Sequence, residues 1–528
     1  MVDFLDLLFG STVLRMVLLP AVCALPLLLF RPTAVRGIRL YLLAVSALHV
    51  AVTGVLLSAG WRGEEGFGAL RDIASDGRPL AWIPRYGIRF DLGVDGISMP
   101  LVALTSLLLP IVVLASWQGI EKHWRSFGAS LLLLTSGILG ALCAFDLFVF
   151  YVFWELMLVP MYLIIGIWGG ERRIYAAIKF FLYTMAGSLL MLLAILWLAW
   201  TYHELTGVWT FSYENLLALD LPVGLQLWLF GAFAVSFAIK VPLVPFHTWL
   251  PDAHVEAPTA GSVVLAGVLL KLGTYGLLRF ALPLFPHAWQ AAQPVLVVLS
   301  VVGILYGGLV AWAQDDMKKL IAYSSVAHLG FVVLGLAAAD AIAWDGALLQ
   351  MVNHGLSTGA LFLLVGMLYE RRHTKKFDQF GGLAAVMPKY AFALAFAALA
   401  SVGLPGLNGF VGEFLILAGS YRAGLILPTV LATAGVVVAA VYLFKMLHLT
   451  LWGPITHEEN RGLADLSLRE VVVLAPLCLL MLAIGLAPEK LLAASRPELT
   501  RVLATYEERS SAPAPERPAL RPAGTERR

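Results

Sequence analysis

Apolar runs of about twenty residues follow one another from residue 6 to residue 488, separated by polar loops. As a helix, a run of that length crosses roughly 30 Å of hydrocarbon, and lipid leaves the backbone no partner outside its own helix. Alternating strand patterns are absent, which excludes a membrane barrel. Fourteen spans are expected, near 6–30, 38–59, 98–118, 127–145, 147–169, 174–200, 226–253, 258–280, 294–314, 319–339, 345–369, 388–420, 425–452 and 470–488. The 528 residues are 60% hydrophobic and only 13% charged, with mean hydropathy +0.85, so a water-soluble globular class is excluded. The first run contains Arg15 and lacks a small-residue cleavage site, so it reads as a retained helix rather than a removed signal.

Loop charge orients the chain. Sixteen Lys and Arg lie in the loops after odd-numbered spans and seven in the opposite loops, five of them (Arg62, Arg71, Arg78, Arg85, Arg89) in one long loop where the rule weakens. The odd loops are therefore expected in the cytoplasm and both termini outside. A net charge of +2 without a basic, aromatic-interleaved patch gives no reason for nucleic-acid binding. Cys23, Cys143 and Cys478 are too scattered for a zinc or iron–sulfur site and read as packing residues. The polar segment 491–528, Pro-, Ala- and Arg-rich from 510, is expected to be disordered or loosely bound to the surface.

Five ionisable residues fall at span interiors: Glu155 in "FYVFWELMLVP", Lys240, Lys271, Glu413 and Lys445. Each costs at least about 2.5–3.5 kcal/mol at a helix centre, so such groups face the bundle interior and mark function or a structural pair. His247, His328, His354 and His448 lie at or near the same interiors, and with the five they can form a chain for protons. Desolvation lowers the proton affinity of a buried Lys and a nearby Glu restores it, so changing the Glu155–Lys240 distance would switch the Lys.

An internal repeat organises these residues. Glu155 and His328 are 173 residues apart, as are Lys240 and Glu413, while Lys271 and Lys445 are 174 apart. The offset spans five helices, an odd number that inverts the second copy. The expected architecture is an all-α polytopic membrane protein with two inverted five-helix repeats, spans 4–8 and 9–13. Its segments are 1–126, 127–280, 294–452, a last helix in 453–490, and the tail. Spans 7 and 12 are expected to be broken, by Pro242 and Pro245 in "AIKVPLVPFHTWLP" and by Gly403, Pro405, Gly406 and Gly409 in "VGLPGLNGFVGEF". His247, Asp252, His254 and Glu256 are metal-capable but match no zinc spacing; His254 and Asp252 read as capping groups at the membrane surface. His49 reads as a satisfied core residue, and no nucleotide-binding loop is present.

"FYVFWELMLVPMYLIIGIWGG", "AIKVPLVPFHTWLPDAHVEAPTAGSVVLAGVLLKLGTYG", "DDMKKLIAYSSVAHLGF" and "GFVGEF" resemble the antiporter-like, proton-translocating membrane subunits of respiratory complex I, over nearly all fourteen spans. Glu at 413, where the L and N branches typically carry Lys, and only a short tail after the last span resemble the M branch. The resemblance implies that Glu155 pairs with Lys240, that Lys271 continues the path, that Glu413 is the terminal group, and that His247, His328 and His354, with Lys445, are relay candidates. It further implies redox chemistry in other subunits, no cofactor in this chain, and a place in the cell's inner membrane beside other membrane subunits, including paralogous antiporter-like chains. Mrp-type cation/proton antiporter subunits and membrane subunits of group 4 hydrogenases share much of the pattern and are the alternatives.

Overall fold

The computed structural model describes residues 12–61, 67–72 and 79–521. Its helices are α1 (Thr12–Leu29), α2 (Val35–Gly60), α3 (Met99–Gly119), α4 (Trp124–Cys143), α5 (Leu147–Trp168), α6 (Arg173–Thr206), α7 (Val223–Lys240), α8 (Trp249–Glu256), α9 (Thr259–Leu284), α10 (Pro286–Trp312), α11 (Met317–Ala337), α12 (Ala341–Arg372), α13 (Pro388–Val402), α14 (Asn408–Arg422), α15 (Ile426–Leu451), α16 (Leu468–Leu486) and α17 (Glu489–Ser511). Thirteen of them, among the described residues, are long and apolar enough to span a membrane. The expected twelfth span is the shorter pair α13 and α14. The first six residues expected in span 1 and the loop cations Arg62 and Arg78 lie outside the described residues.

Both expected breaks are present. α7 stops at Lys240 and the chain restarts as α8 at Trp249, across Pro242 and Pro245, while α13 ends at Gly403 and α14 starts after Leu407. Gly403 takes φ +87°, the left-handed end that only glycine adopts without strain. Two further irregularities were not read from the sequence. α5 is interrupted at Met157, two residues after Glu155, where Pro160 has no N–H to offer the Leu156 carbonyl. α9 widens to five-residue turns at Leu265–Leu269 and Leu277–Ala281, on either side of Lys271, a local geometry that frequents functional sites.

α9 and α12 are buried throughout their spanning windows and form the centre of the bundle. The other spans wrap them with lipid-facing rows such as Leu189, Leu193, Trp197 and Trp200 on α6. The chain's two faces separate cleanly. Loops after α1, α3, α5, α8, α10, α12 and α15 share one face, tied by Gly170 N–H to the Glu256 carbonyl, Met317 N–H to the Lys375 carbonyl and Gly382 N–H to the Trp452 carbonyl. This is the basic face.

The opposite face carries β1 (Leu70–Arg71), β2 (Leu80–Ile83), β3 (Ile88–Phe90), β4 (Gly93–Val94), β5 (Leu219–Asp220) and β6 (Ala519–Leu520), paired antiparallel as β1–β4, β2–β3 and β5–β6. The expectation of a disordered tail fails here for the described part. α17 lies across this face, with Arg496 paired to Asp345 of α12 at 2.7 Å, Glu498 to Arg279 of α9 at 3.3 Å, and Arg509 donating to the Pro283 and Leu219 carbonyls at 2.7 Å each. Tertiary ion pairs order a segment whose own composition would not. Beneath it, burial alone would raise the Asp95 carboxyl, but Arg279 and the N–H groups of Ser98 and Ile97 hold it below the usual range.

Candidate functional site

The bundle centre brings four of the expected residues into one row. α9 carries Lys271 between its two wide turns, and the Lys271 ammonium donates to the Ala266 carbonyl and to His354 Nδ1, 2.6 Å away. His354 belongs to α12, and its ring centroid lies 5.9 Å from that of His328 on α11. His328 Nδ1 donates to Glu413 Oε1 of α14 at 2.8 Å, while its Nε2 accepts from Ser401 Oγ and from the Tyr442 hydroxyl, each at 3.2 Å. Gln350 Nε2 also donates to Glu413 Oε1, at 2.9 Å. All four titratable groups are buried.

The elements hold these side chains by polar clamps rather than by packing alone. Asn353 Nδ2 donates to the Asn408 carbonyl at 2.7 Å, and Asn408 Nδ2 donates to Asn353 Oδ1 at 3.1 Å, which seats the start of α14 against α12 one turn before Glu413. Asp340 caps α12 by accepting from Ile342 and Ala343 N–H and pairs with Arg422 at the far end of α14. Glu413 is thus fixed at both ends of its helix.

Glu155 and Lys240 sit apart from the row and from each other. Among the described residues Lys240 Nζ has no hydrogen-bond partner; it lies 5.0 Å from the Trp154 ring centroid and 5.8 Å from that of Phe180. The pairing expected of Glu155 and Lys240 is therefore an attraction across space rather than an ion pair, because the indole next in sequence to Glu155 takes the ammonium onto its face. Glu155 is half-buried, with Oε1 unpartnered and Tyr151, Ser188 and Lys240 around it.

Other expected residues lie elsewhere. Lys445 is near the basic-face end of α15, not at mid-span, and its Nζ donates to the Trp312 and Gln314 carbonyls at 2.6 and 3.0 Å. It caps the C-terminus of α10, where a cation is favoured by the exposed carbonyls. His448 is exposed beside Trp452. His247 is buried in the α7–α8 break against Tyr306 and Tyr323 and does not reach the row. Asp252 caps no helix among the described residues but accepts a hydrogen bond from Lys179 at 2.7 Å and stays partly exposed near a helix end. His254 is not a surface cap either: it is fully buried, stacked on Phe362 with centroids 4.6 Å apart, and within electrostatic reach of Lys271 and Lys318. His49 accepts or donates at Ser106 Oγ, 3.0 Å away, in keeping with a core residue.

Lys318, one of the sixteen cations that the sequence places in loops after odd-numbered spans, is buried and donates to the Ala257 carbonyl at 2.5 Å. It lines a cavity of about 550 Å³ open to the basic face, together with Glu121, Glu256, Glu370, His373 and Lys375. Lys318 and His254 therefore stand between that cavity and Lys271. Gln350 and Tyr442 also belong to the site without being singled out by the sequence; the cluster of polar residues Gln350, Asn353 and His354 in one span is the available signal for Gln350, whereas Tyr442 carries none.

Comparisons with known proteins give the chain's family and fold. A family model described as NADH:quinone oxidoreductase/Mrp antiporter, transmembrane, matches residues 144–440. NADH-quinone oxidoreductase subunit M of Escherichia coli is 45% identical over 429 residues, which cover 80% of this chain and 84% of the relative. A chain of respiratory complex I from Thermus thermophilus with bound NADH superposes with a TM-score of 0.82 at 33% identity, covering 93% of this chain and 99% of that one. A chain of the Mrp complex from a Dietzia species has the same fold, with a TM-score of 0.79 at 21% identity over 95% of this chain and 100% of that one. With the family model spanning more than half of its length and relatives of this identity matched over most of theirs, the chain belongs to the NADH:quinone oxidoreductase/Mrp antiporter transmembrane family.

Proposed function

We propose that the chain is the antiporter-like, proton-translocating membrane subunit of an NADH–quinone oxidoreductase, carrying protons from the cytoplasm to the outside. The observation that carries this reading is the row Lys271–His354–His328–Glu413, four buried titratable groups on four different helices. NADH oxidation and quinone reduction belong to other subunits, this chain holding no cofactor and sharing the membrane with paralogous antiporter-like chains. The basic face is the cytoplasmic one and both termini lie outside the inner membrane. The two halves, spans 4–8 and 9–13, are inverted copies; one broken helix carries Lys240 at its break and the other carries Glu413 just past it.

In the mechanism, a charge signal from a neighbouring subunit alters the Glu155–Lys240 attraction. A buried Lys released from a carboxylate holds its proton less tightly, so Lys240 gives up a proton toward Lys271. From there it passes to His354, across to His328, and to Glu413, which releases it outward. Neither the Lys240–Lys271 step nor the His354–His328 step is bridged by a hydrogen bond, so the first needs a bridging water and the second ring rotation or a bridging water. The basic-face cavity then supplies a proton by way of Lys318 and His254 to Lys271, which returns it to Lys240 and so resets the pair for the next transfer.

Lys240→Ala and Glu413→Gln, in the assembled complex reconstituted into vesicles, test the reading. Normal assembly with proton translocation lost is expected for both. Translocation that persists in either variant removes that residue from the path. A stand-alone cation/proton antiporter is the second reading, favoured by a family model that spans both classes; co-purification of flavin and iron–sulfur subunits decides against it.

A further inference from the structure

Away from the row, unpaired positive charge gathers on the basic face where α2, α3, α4 and α16 meet. Arg39, in the first turns of α2, holds its guanidinium carbon 4.7 Å from the Trp124 ring centroid and 5.5 Å from that of Trp117. Its Nε is buried and without a partner among the described residues, and the formal charge acting on it is a second cation, Arg469 of α16. Arg469 donates to Gln118 Oε1 at 2.9 Å and lies 3.6 Å from Glu370. Trp124 is itself fixed, its Nε1 donating to the Ile120 carbonyl at 2.7 Å and its ring packed edge-on against Phe127.

Two indoles thus hold one guanidinium in place and leave it without a hydrogen-bond acceptor among the described residues, with a like charge within electrostatic reach. Glu370 pairs with Arg469 and not with Arg39, so Arg39 has no counterion among the described residues until an anion enters. A topological role for these cations asks only for loop position and accounts for neither the indole cradle nor the approach of Arg469. The surroundings specify the anion's source. Arg31, Arg36 and Lys122 are exposed on the same face, and Leu25, Leu28, Leu29 and Leu40 are exposed beside them, Leu29 at 87%. Cations at the membrane surface above bare leucines match a phosphate carrying acyl chains, whereas a dissolved phosphate would have no use for the leucines.

We propose that Arg39 and Arg469, with the Trp117–Trp124 cradle, bind the phosphate of an anionic diacyl phospholipid whose chains lie along α1 and α2. The test uses the whole purified complex in nanodiscs of phosphatidylcholine with a minor share of phosphatidylglycerol, and mass-spectrometric counting of the lipids retained through delipidation. Arg39→Gln is expected to retain phosphatidylglycerol about tenfold less firmly, as loss of a charge-assisted pair implies, with phosphatidylcholine unchanged. Arg39→Lys, which keeps the charge but not the planar fork, is expected to fall between. Should Arg39→Gln fail to assemble, Trp117→Leu, at a half-buried position, takes its place with the same expectation. Wild-type retention of phosphatidylglycerol in the variant measured overturns the proposal, and so does its displacement from the wild type by inorganic phosphate, which would make the site one for a soluble anion.

Discussion

His328 is held from both sides of its ring: Nδ1 by Glu413, Nε2 by the hydroxyls of Ser401 and Tyr442. Which nitrogen carries the proton is set by these partners, so Tyr442 decides how readily His328 accepts at Nε2 while it gives at Nδ1. Tyr442→Phe removes one of the two donors to Nε2 without changing the ring's volume, and a lost hydrogen bond of this kind is worth about 0.5–1.5 kcal/mol. Coupled turnover is expected to slow by up to about tenfold, with assembly normal, as read by proton uptake in reconstituted vesicles. Asp146 makes a second test. It caps α5, the helix of Glu155, accepting from Phe148 and Val149 N–H, and burial pushes its carboxyl up to about 7 against those donors. A carboxyl held above its free value of 3.8 weakens the fold as it ionises, so its share of stability is present at low pH and lost as pH rises to about 7. Asp146→Asn keeps a capping acceptor and is expected to be more thermostable than the wild type above pH 7 but not below 3.8, as measured by the unfolding temperature of the complex.

At the scale of elements, the break between α13 and α14 is built from glycine for two different reasons. Gly403 ends α13 in the left-handed region, and at Gly409 an added Cβ would meet the Ala400 carbonyl. Gly403→Ala is expected to destabilise by about 1–2 kcal/mol through backbone strain alone. Gly409→Ala must push α14 off α13 and is expected to impair proton translocation as well, since Glu413 lies one turn further on. Comparing thermal stability with translocation in the two variants separates the effects. These breaks were legible because Pro and Gly act locally, on their own backbone. The interruption at Met157 was readable from Pro160 by the same logic and was overlooked. Lys445 was misplaced because the 174-residue offset fixes a position along a helix, whereas its side chain is drawn to carbonyls at the end of α10. The burial of Lys318 was not legible at all: it rests on a carbonyl 61 residues away, and its neighbour Lys319 half-obscures it among loop charges.

For the whole molecule, α17 ties together helices that are distant in sequence. Glu498 reaches Arg279 on α9 and Arg496 reaches Asp345 on α12, and these are the helices whose Lys271 and His354 meet at the centre. Arg509, buried, is the anchor beyond them. Arg509→Ala strands the Pro283 and Leu219 carbonyls, at about 1–3 kcal/mol each, and is expected to speed protease cleavage and amide exchange around β5 and β6 while leaving exchange in α9 and α12 slow. The fold class and the spans were legible from hydropathy, because lipid demands the same length and composition of every crossing helix. α17 was not, because its sequence is polar and its order comes from partners on other helices.

The β5–β6 pairing sets a timetable for biogenesis. Asp220 meets Arg521 across 301 residues, so a ribosome must deliver seven more spanning helices, the α13–α14 pair and α17 before β5 finds its partner. Until then the β5 edge and the Pro283 and Leu219 carbonyls wait in the aqueous compartment, open to chaperones and proteases. Closure of that face is therefore a step after insertion of the helices, and a chain stalled before Arg509 would carry its complete central row of charges beneath an unfinished outer surface.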